Sequence, residues 1–296
     1  MTGVLVTGAA GFLGSAVCRA GLAEGASVLG LVRTGELAQP IEGVTYREID
    51  WADDAAVATV LSEAAPERIV HCAGATPRAE MSVAALYDAN VGLVWRLLDI
   101  VRAVVPGTGV VIVSSAAVYG PSPTVPTAED EPLNPVTHYA WSKVLAEQTA
   151  RAFAGTDGLR VCIARPFNLI GAGEPKGSVV SDIIEQIEAG AEVIRVRETV
   201  SVRDFVDVDD AARALLLLAG RGEPGEAYNV CSGVGTSVGE LVEIAVDVAA
   251  SGAVVEATDP TVAGTTSTGV CRRLRRLGWE PRAALRASLA RTSGRA

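Results

Sequence analysis

Four side chains in this sequence could together handle a carbonyl. Ser114 and Ser115 follow the run Val110-Val111-Ile112-Val113, and Tyr139 and Lys143 stand four residues apart downstream. Four consecutive β-branched residues read as a buried strand, so the two hydroxyls emerge at its C-terminal end. If the second stretch is helical, the i,i+4 spacing turns phenol and ammonium to one face. A hydroxyl, a phenol and an ammonium converging at a sheet edge could polarise a carbonyl oxygen and give it a proton.

The elements upstream supply a partner for that chemistry. Gly3-Val4-Leu5-Val6-Thr7 reads as a short buried strand, followed by Gly8-Ala9-Ala10-Gly11-Phe12-Leu13-Gly14 and a helical pattern from Ser15 to Glu24. Strand, glycine turn and helix are the context of a dinucleotide-binding fingerprint, here spaced G-x-x-G-x-x-G. Gly8 would permit the tight turn. Gly11 would let backbone approach a pyrophosphate at the helix N-terminus, with Phe12 and Leu13 beside it, and Gly14 would let helix and strand pack closely. The next strand, Ser27–Arg33, ends where a carboxylate would hold the ribose 2′-hydroxyl of NAD, whereas arginine suits the 2′-phosphate of NADP. Arg33 and Thr34 occupy that place, with no carboxylate before Glu36. This favours NADP over NAD, against the plainer reading of a solvated arginine at a strand end. A strand from Val44 leads to Asp50 and Trp51, expected at the adenine edge and face.

A helix over Asp53–Ala64, the strand Arg68–Cys72 and the turn Ala73-Gly74-Ala75 follow, with Cys72, Ala73 and Gly74 assigned to the cofactor site. A long helix is expected over Ser82–Val105, with Asn90 on its inward face and assigned to the cofactor site. A loop carrying Pro121, Pro123, Pro126, Pro132 and Pro135 precedes the Tyr139 helix, and Leu159–Ala164 reads as another strand, ending at Arg165-Pro166. Strands alternating with helices argue an α/β fold, a Rossmann-type doubly wound parallel sheet. Beyond that point the rhythm loosens into a small C-terminal substrate-binding lobe. Helices are expected over Ser178–Glu188 and Ser237–Ala250, and strands over Glu192–Arg197 and Ala227–Val230. The carboxylates of Arg203–Asp210 read as the cap and first turn of a helix over Ala211–Ala219. Residues 1–166 are expected to form the cofactor domain, with 200–231 returning to it, and 167–199 and 232–296 to form the lobe.

Bulk properties narrow the partners. With Lys+Arg 25 against Asp+Glu 35 in 296 residues, the net charge is −10. That argues against nucleic acid or an anionic membrane as partner, while a local arginine could still hold an anionic small molecule. Cys18, Cys72, Cys162, Cys231 and Cys271 are scattered without a C-x-x-C, as expected of buried thiols in a reducing cytosol. No basic leader and no membrane-length apolar run is visible, so a cytoplasmic protein is expected. His71 lies within an apolar strand and reads as a hydrogen-bonded structural residue. Far from His138, and with no clustered thiols, it suggests no metal site.

Taken together, the residues resemble the extended short-chain dehydrogenases/reductases, that is the nucleotide-sugar epimerases, dehydratases and reductases. The matching stretches are Thr7–Gly14, Ser114–Gly120, Tyr139…Lys143, Arg165–Asn168, Arg203–Val206 and Leu277–Trp279. The segments 165–173, 202–210 and 228–233 look most like the GDP-4-keto-6-deoxymannose reductases. The resemblance implies that Tyr139 is the acid/base, that Ser115 orients the carbonyl oxygen, and that Ser114 supports it. Lys143 would bind the nicotinamide ribose and lower the phenol's pKa, and Pro166 would help seat the nicotinamide. Ala116, Asn168 and Arg203 would line the substrate site, Arg203 meeting a diphosphate. The helices over Ser82–Val105 and Tyr139 would form a homodimer's four-helix interface.

Two departures from the family pattern bear on the reaction. Ala116 and Ala117 stand where sugar dehydratases place carboxylates, and where the related decarboxylases and the mannose-series reductases commonly carry a glutamate, which argues against elimination and for simple reduction or 4-epimerisation. Arg197 and Glu198 replace the usual glycine and asparagine after the strand near Val196, and the lobe is short, so the nucleotide part of the substrate is left open. The expected function is NADPH-dependent reduction of the 4-keto group of a nucleotide-activated 6-deoxy sugar. The alternatives are a 4-epimerase with retained NAD, a reductase of a polyketide ketone from antibiotic biosynthesis (suggested by alanine- and arginine-rich usage), and a non-catalytic NADP-binding sensor.

Overall fold

The apolar runs of the sequence form two stacked faces of one parallel sheet in the computed structural model, which describes residues 3–36, 39–77, 81–122 and 124–294. Met1, Thr2 and Pro123 lie outside the described residues. In chain order the first half comprises β1 (Gly3–Thr7), α1 (Phe12–Ala23), β2 (Ser27–Arg33), β3 (Val44–Ile49), α2 (Asp54–Ala64), β4 (Arg68–His71), α3 (Val83–Tyr87), α4 (Leu93–Val104), β5 (Gly109–Val113), α5 (His138–Asp157) and β6 (Val161–Pro166). The second half comprises β7 (Asn168–Ile170), α6 (Val179–Glu188), β8 (Val193–Val196), β9 (Val202–Asp207), α7 (Val208–Arg221), β10 (Ala227–Val230), β11 (Gly235–Ser237), α8 (Val238–Ala249), β12 (Val254–Ala257), β13 (Thr266–Ser267), α9 (Arg272–Arg276) and α10 (Leu285–Thr292).

The large sheet runs β10-β6-β5-β4-β1-β2-β3 and is parallel throughout. Along β1, Val4 and Val6 point into a core shared with α1 and α7, while Leu5 points into a second core with α2, α4 and α5. A strand buried on both faces must read as a continuous apolar run, which is why β1, β5 and β6 were visible in the sequence. Strand order reverses between β1 and β4, so a crevice opens beyond their C-terminal ends. β10 joins the sheet beside β6, and α7 packs on α1. A third core, built around Ile170, Ile183, Ile194, Phe205 and Leu241, holds α6, α8 and their strands together.

Several expected elements differ in detail. α1 begins at Phe12 rather than Ser15, with Gly11 as its N-cap. The expected Ser82–Val105 helix is interrupted by a π-helical turn at Asp88–Gly92, and that turn carries Asn90. Leu159 and Arg160 precede β6 rather than belong to it. The stretch Arg203–Asp210 is a strand before it is a helix. β9 takes Val202–Asp207, pairs with β7, β11 and β13, and only Asp207 caps α7. Alternation along β9 is masked because Asp204, on its buried side, collects the backbone N–H groups of Ser232, Gly233 and Gly269. Among the described residues no helix is long and apolar enough to cross a membrane.

Candidate active site

The crevice at the switch point is a cleft of about 800 Å³. Its floor is the glycine turn. Gly8 has φ +64°, and a Cβ there would meet Ala73 backbone at 2.8 Å, so the turn after β1 can nest against the turn after β4 only without a side chain. A Cβ on Gly14 would stand 2.1 Å from the Gly8 carbonyl oxygen, so α1 is pressed directly on the turn. This close approach aims the N-terminus of α1, roughly half a positive charge, into the cleft. A bare backbone cradle at a helix N-terminus fits a dinucleotide diphosphate.

Fifteen of the residues singled out in the sequence line this cleft: Gly8, Gly11, Phe12, Leu13, Gly14, Arg33, Trp51, Cys72, Ala73, Gly74, Ser114, Ser115, Tyr139, Lys143 and Pro166. Asp50, Asn90, Ala116, Asn168 and Arg203 are not part of its wall. Asp50 accepts from Ala52 N–H in an exposed turn. Asn90 works from behind. It accepts from Ala75 N–H at 2.8 Å and donates to Ala75 C=O at 3.0 Å and to Ser142 Oγ at 2.9 Å, clamping the β4 loop to α5. Gly74 lies between them, where a Cβ would come within 3.3 Å of Lys143 Nζ. Asn168 donates to the Asp204 carbonyl, and Arg203 donates to Thr265 C=O and Oγ1 rather than to Asp204 or Asp207. Ala116 opens a 3-10 turn, Ala116–Tyr119, that Ser115 caps by accepting from Ala117 N–H.

The catalytic candidates meet because β5 ends where α5 passes. Thr137 caps α5, and from its first and second turns Tyr139 and Lys143 face the cleft beside Ser115. Lys143 is buried, donates to Val113 C=O at 3.0 Å, and is pushed down by burial to about 8, with Glu147 acting the other way. The expectation that Lys143 depresses the Tyr139 pKa is not met: burial pushes the phenol above its ordinary value, and only a Ser115 hydrogen bond opposes this. The ammonium spends part of its charge on Val113 and stands 6.0 Å from the ring centroid. His71 is held neutral, driven down to about 3 by burial and by Lys143. Its Nδ1 lies 2.8 Å from Thr7 Oγ1, which also accepts from Ala73 N–H, so the histidine braces the turn rather than acting as a base. No metal-binding cluster is present among the described residues.

A family model described as the NAD dependent epimerase/dehydratase family matches residues 4–231. The chain belongs to this family. It is accordingly an NAD(P)-dependent oxidoreductase of the extended short-chain dehydrogenase/reductase type. It is similar to a GDP-6-deoxy-D-mannose reductase of Pseudomonas aeruginosa, 34% identical over 62% of this chain and 64% of that protein. It is also similar to a UDP-glucose 4-epimerase of Mycolicibacterium smegmatis, 33% identical over 97% of this chain and 96% of that protein. Among solved structures, RMD from Pseudomonas aeruginosa complexed with NADPH superposes with a TM-score of 0.84, at 28% identity, over 100% of this chain and 98% of that one.

Sequence reasoning overlooked part of the cleft wall of this epimerase/dehydratase-family chain. Phe167, just before β7, and Leu169, Glu174, Pro175 and Ser178, on and after it, close it from the lobe side. Glu174 accepts from the Ser178 hydroxyl at 2.6 Å, while its second oxygen is buried without a partner and burial pushes the carboxyl up to about 7. A lone acid in Gly171-Ala172-Gly173-Glu174-Pro175 was the available signal. Glu147 was overlooked as well. It is fully buried four residues after Lys143, accepts from Ser114 Oγ at 2.7 Å, and forms a bidentate pair with Arg165 at 2.8 and 2.6 Å. A carboxylate on the apolar face of a helix always asks for a buried cation.

Proposed function

We propose that this chain is an NADPH-dependent ketoreductase acting on the 4-keto group of a nucleotide-activated 6-deoxy sugar. One arrangement carries the proposal. Ser115, Tyr139 and Lys143 face the same cleft as the glycine cradle and Arg33, and the turn that follows Ser115 offers Ala116 and Ala117 in place of a second acid or base. A nicotinamide dinucleotide in the cradle supplies the hydride. Ser115 holds the carbonyl oxygen, and Tyr139, kept protonated by its burial, donates the proton as negative charge develops there. Lys143, held by Val113 C=O, would bind the ribose hydroxyls. Elimination needs a further carboxylate to take up a proton, and the Ser115 turn has none.

The likeness to GDP-6-deoxy-D-mannose reductase supports this reading, and the nearly full-length match to UDP-glucose 4-epimerase supports the second, a 4-epimerase with retained NAD. The same residues would serve both, so net consumption of cofactor discriminates. Purified protein is assayed for bound NAD, then given NADPH with a panel of keto-sugar nucleotides and, separately, polycyclic ketones. Stoichiometric loss of NADPH with a 4-keto-6-deoxy sugar nucleotide is expected. Bound NAD with interconversion of sugar epimers and no net NADPH loss would overturn the proposal, and turnover of ketones alone would redirect it to secondary metabolism.

Under this reading residues 1–166 and 200–231 hold the cofactor, and 167–199 and 232–296 close on the substrate in a cytoplasmic enzyme. Trp95 of α4 and Trp141 and Leu145 of α5, exposed at 53%, 48% and 41%, support a homodimer through these two helices.

A further inference from the structure

We infer that Glu36 is a specificity-determining residue of the cofactor site, in direct competition with the 2′-phosphate of NADP for Arg33. The inference rests on the reading that the tip of β2 holds the adenosine ribose. At that tip the chain turns back on itself: Glu36 N–H donates to Arg33 C=O at 3.0 Å, and Arg33 N–H donates to Glu36 Oε2 at 3.3 Å. The other carboxylate oxygen accepts from the Arg33 guanidinium. Both side chains line the cleft, with Leu31 and Trp51 beside them. Arg33 is 70% exposed and Glu36 38% exposed, so neither is locked in the core and the pair can open.

The charge at this position is therefore close to zero, not the single positive charge that the sequence offers. A 2′-phosphate carries about −1.5 to −2. It gains the guanidinium only by prising it from Glu36 or by sharing it with a like charge a few ångströms away. A 2′-hydroxyl meets the opposite situation. It can donate to the Glu36 carboxylate while Arg33 stays paired and keeps that carboxylate in place. The tip thus has an acceptor for NAD and a donor for NADP, each holding the other. The consequence is an enzyme that takes both dinucleotides, with only a modest preference for NADPH.

The test is binding of NADPH and of NADH to the whole protein, read by cofactor fluorescence or calorimetry without substrate, for the parent, Glu36→Gln and Arg33→Ala. Exposed ion pairs are weak, so a shift of about twofold to fivefold is expected. Glu36→Gln should bind NADPH more tightly by that factor and NADH more weakly. Arg33→Ala should lose NADPH affinity and leave NADH nearly unchanged. Glu36→Gln without effect on NADPH overturns the inference, and so does equal weakening of both cofactors, because Glu36 would then only shape the turn. If Arg33→Ala alters neither affinity, the placement of the ribose at β2 fails instead, so the two failures are distinguishable.

Discussion

Replacing Glu147 by glutamine should cost about 3–4 kcal/mol of stability and shift the pH profile of the reaction. The magnitude follows from the partners. Oε1 accepts from Ser114 Oγ at 2.7 Å and Arg165 Nε at 2.8 Å, and Oε2 from Arg165 Nη2 at 2.6 Å and Arg151 Nη2 at 3.2 Å. An amide has one acceptor oxygen. If it takes the Oε2 place, its NH₂ faces Ser114, which can rotate to accept, and Arg165 Nε, which cannot. If it takes the Oε1 place, the NH₂ faces two guanidinium groups. Either way a buried donor loses its partner, and Arg165, only 2% exposed, is left without a counter-charge. Breaking a buried pair from one side costs about 3–5 kcal/mol, and the retained amide oxygen places this change toward the low end. Urea unfolding should show it as a midpoint lowered by about 1–2 M. Glu147 also raises the Lys143 pKa, so its loss should move the alkaline limb of activity, set by an ammonium near 8, toward lower pH. A double variant, Glu147→Leu with Arg165→Met, removes both charges and should recover more than half of the stability. A loss below about 1 kcal/mol in the single variant, or no recovery in the double, would refute this account of the network.

Three further outcomes are expected. Gly14→Ala brings a Cβ to 2.1 Å from the Gly8 carbonyl oxygen, so α1 must retreat by about an ångström; dinucleotide affinity should fall at least tenfold, roughly, and an unchanged affinity in a titration would show that the cradle is not the binding site. Tyr139→Phe should bind cofactor normally but lose about 10²–10⁴ in turnover, and near-normal turnover would remove it from the mechanism. Glu174, raised from 4.5 to about 7 in the fold, holds its proton more tightly folded than unfolded. Its contribution to stability is fully present below the unfolded value and is lost as pH rises toward about 7, by up to about 3 kcal/mol. Glu174→Gln should therefore match the parent at about pH 4 and exceed it at about pH 8, whereas parallel thermal-stability profiles across that range would contradict the burial of the acid.

How much of the site could be read beforehand depends on how each residue is positioned. Ser115, Tyr139 and Lys143 were legible because a single element fixes each one: a strand's end delivers the hydroxyl, and 3.6-residue periodicity delivers the other two to one face. Gly8 and Gly14 were legible for the same reason, since a turn followed by a helix leaves little choice of neighbours. Asp204 was not. In sequence it sits among carboxylates that look like a helix cap, and it turns out to be buried in a strand, receiving N–H groups from Ser232, Gly233 and Gly269. The strands of that lobe are two to six residues long, too short to show a period. The Tyr139 pKa had its sign misjudged because proximity of a cation along a helix is visible, whereas the desolvation of phenol and ammonium together is a property of the closed cleft. Arg203 shows the same limit in reverse. As a sequence feature it is a free cation waiting for a diphosphate, yet in the fold Thr265 already occupies it with a carbonyl and a hydroxyl. Both of those acceptors are neutral, and an anion forms the stronger, charge-assisted bond. Arg203 can therefore still be recruited to a diphosphate, provided that the lobe brings the substrate to it.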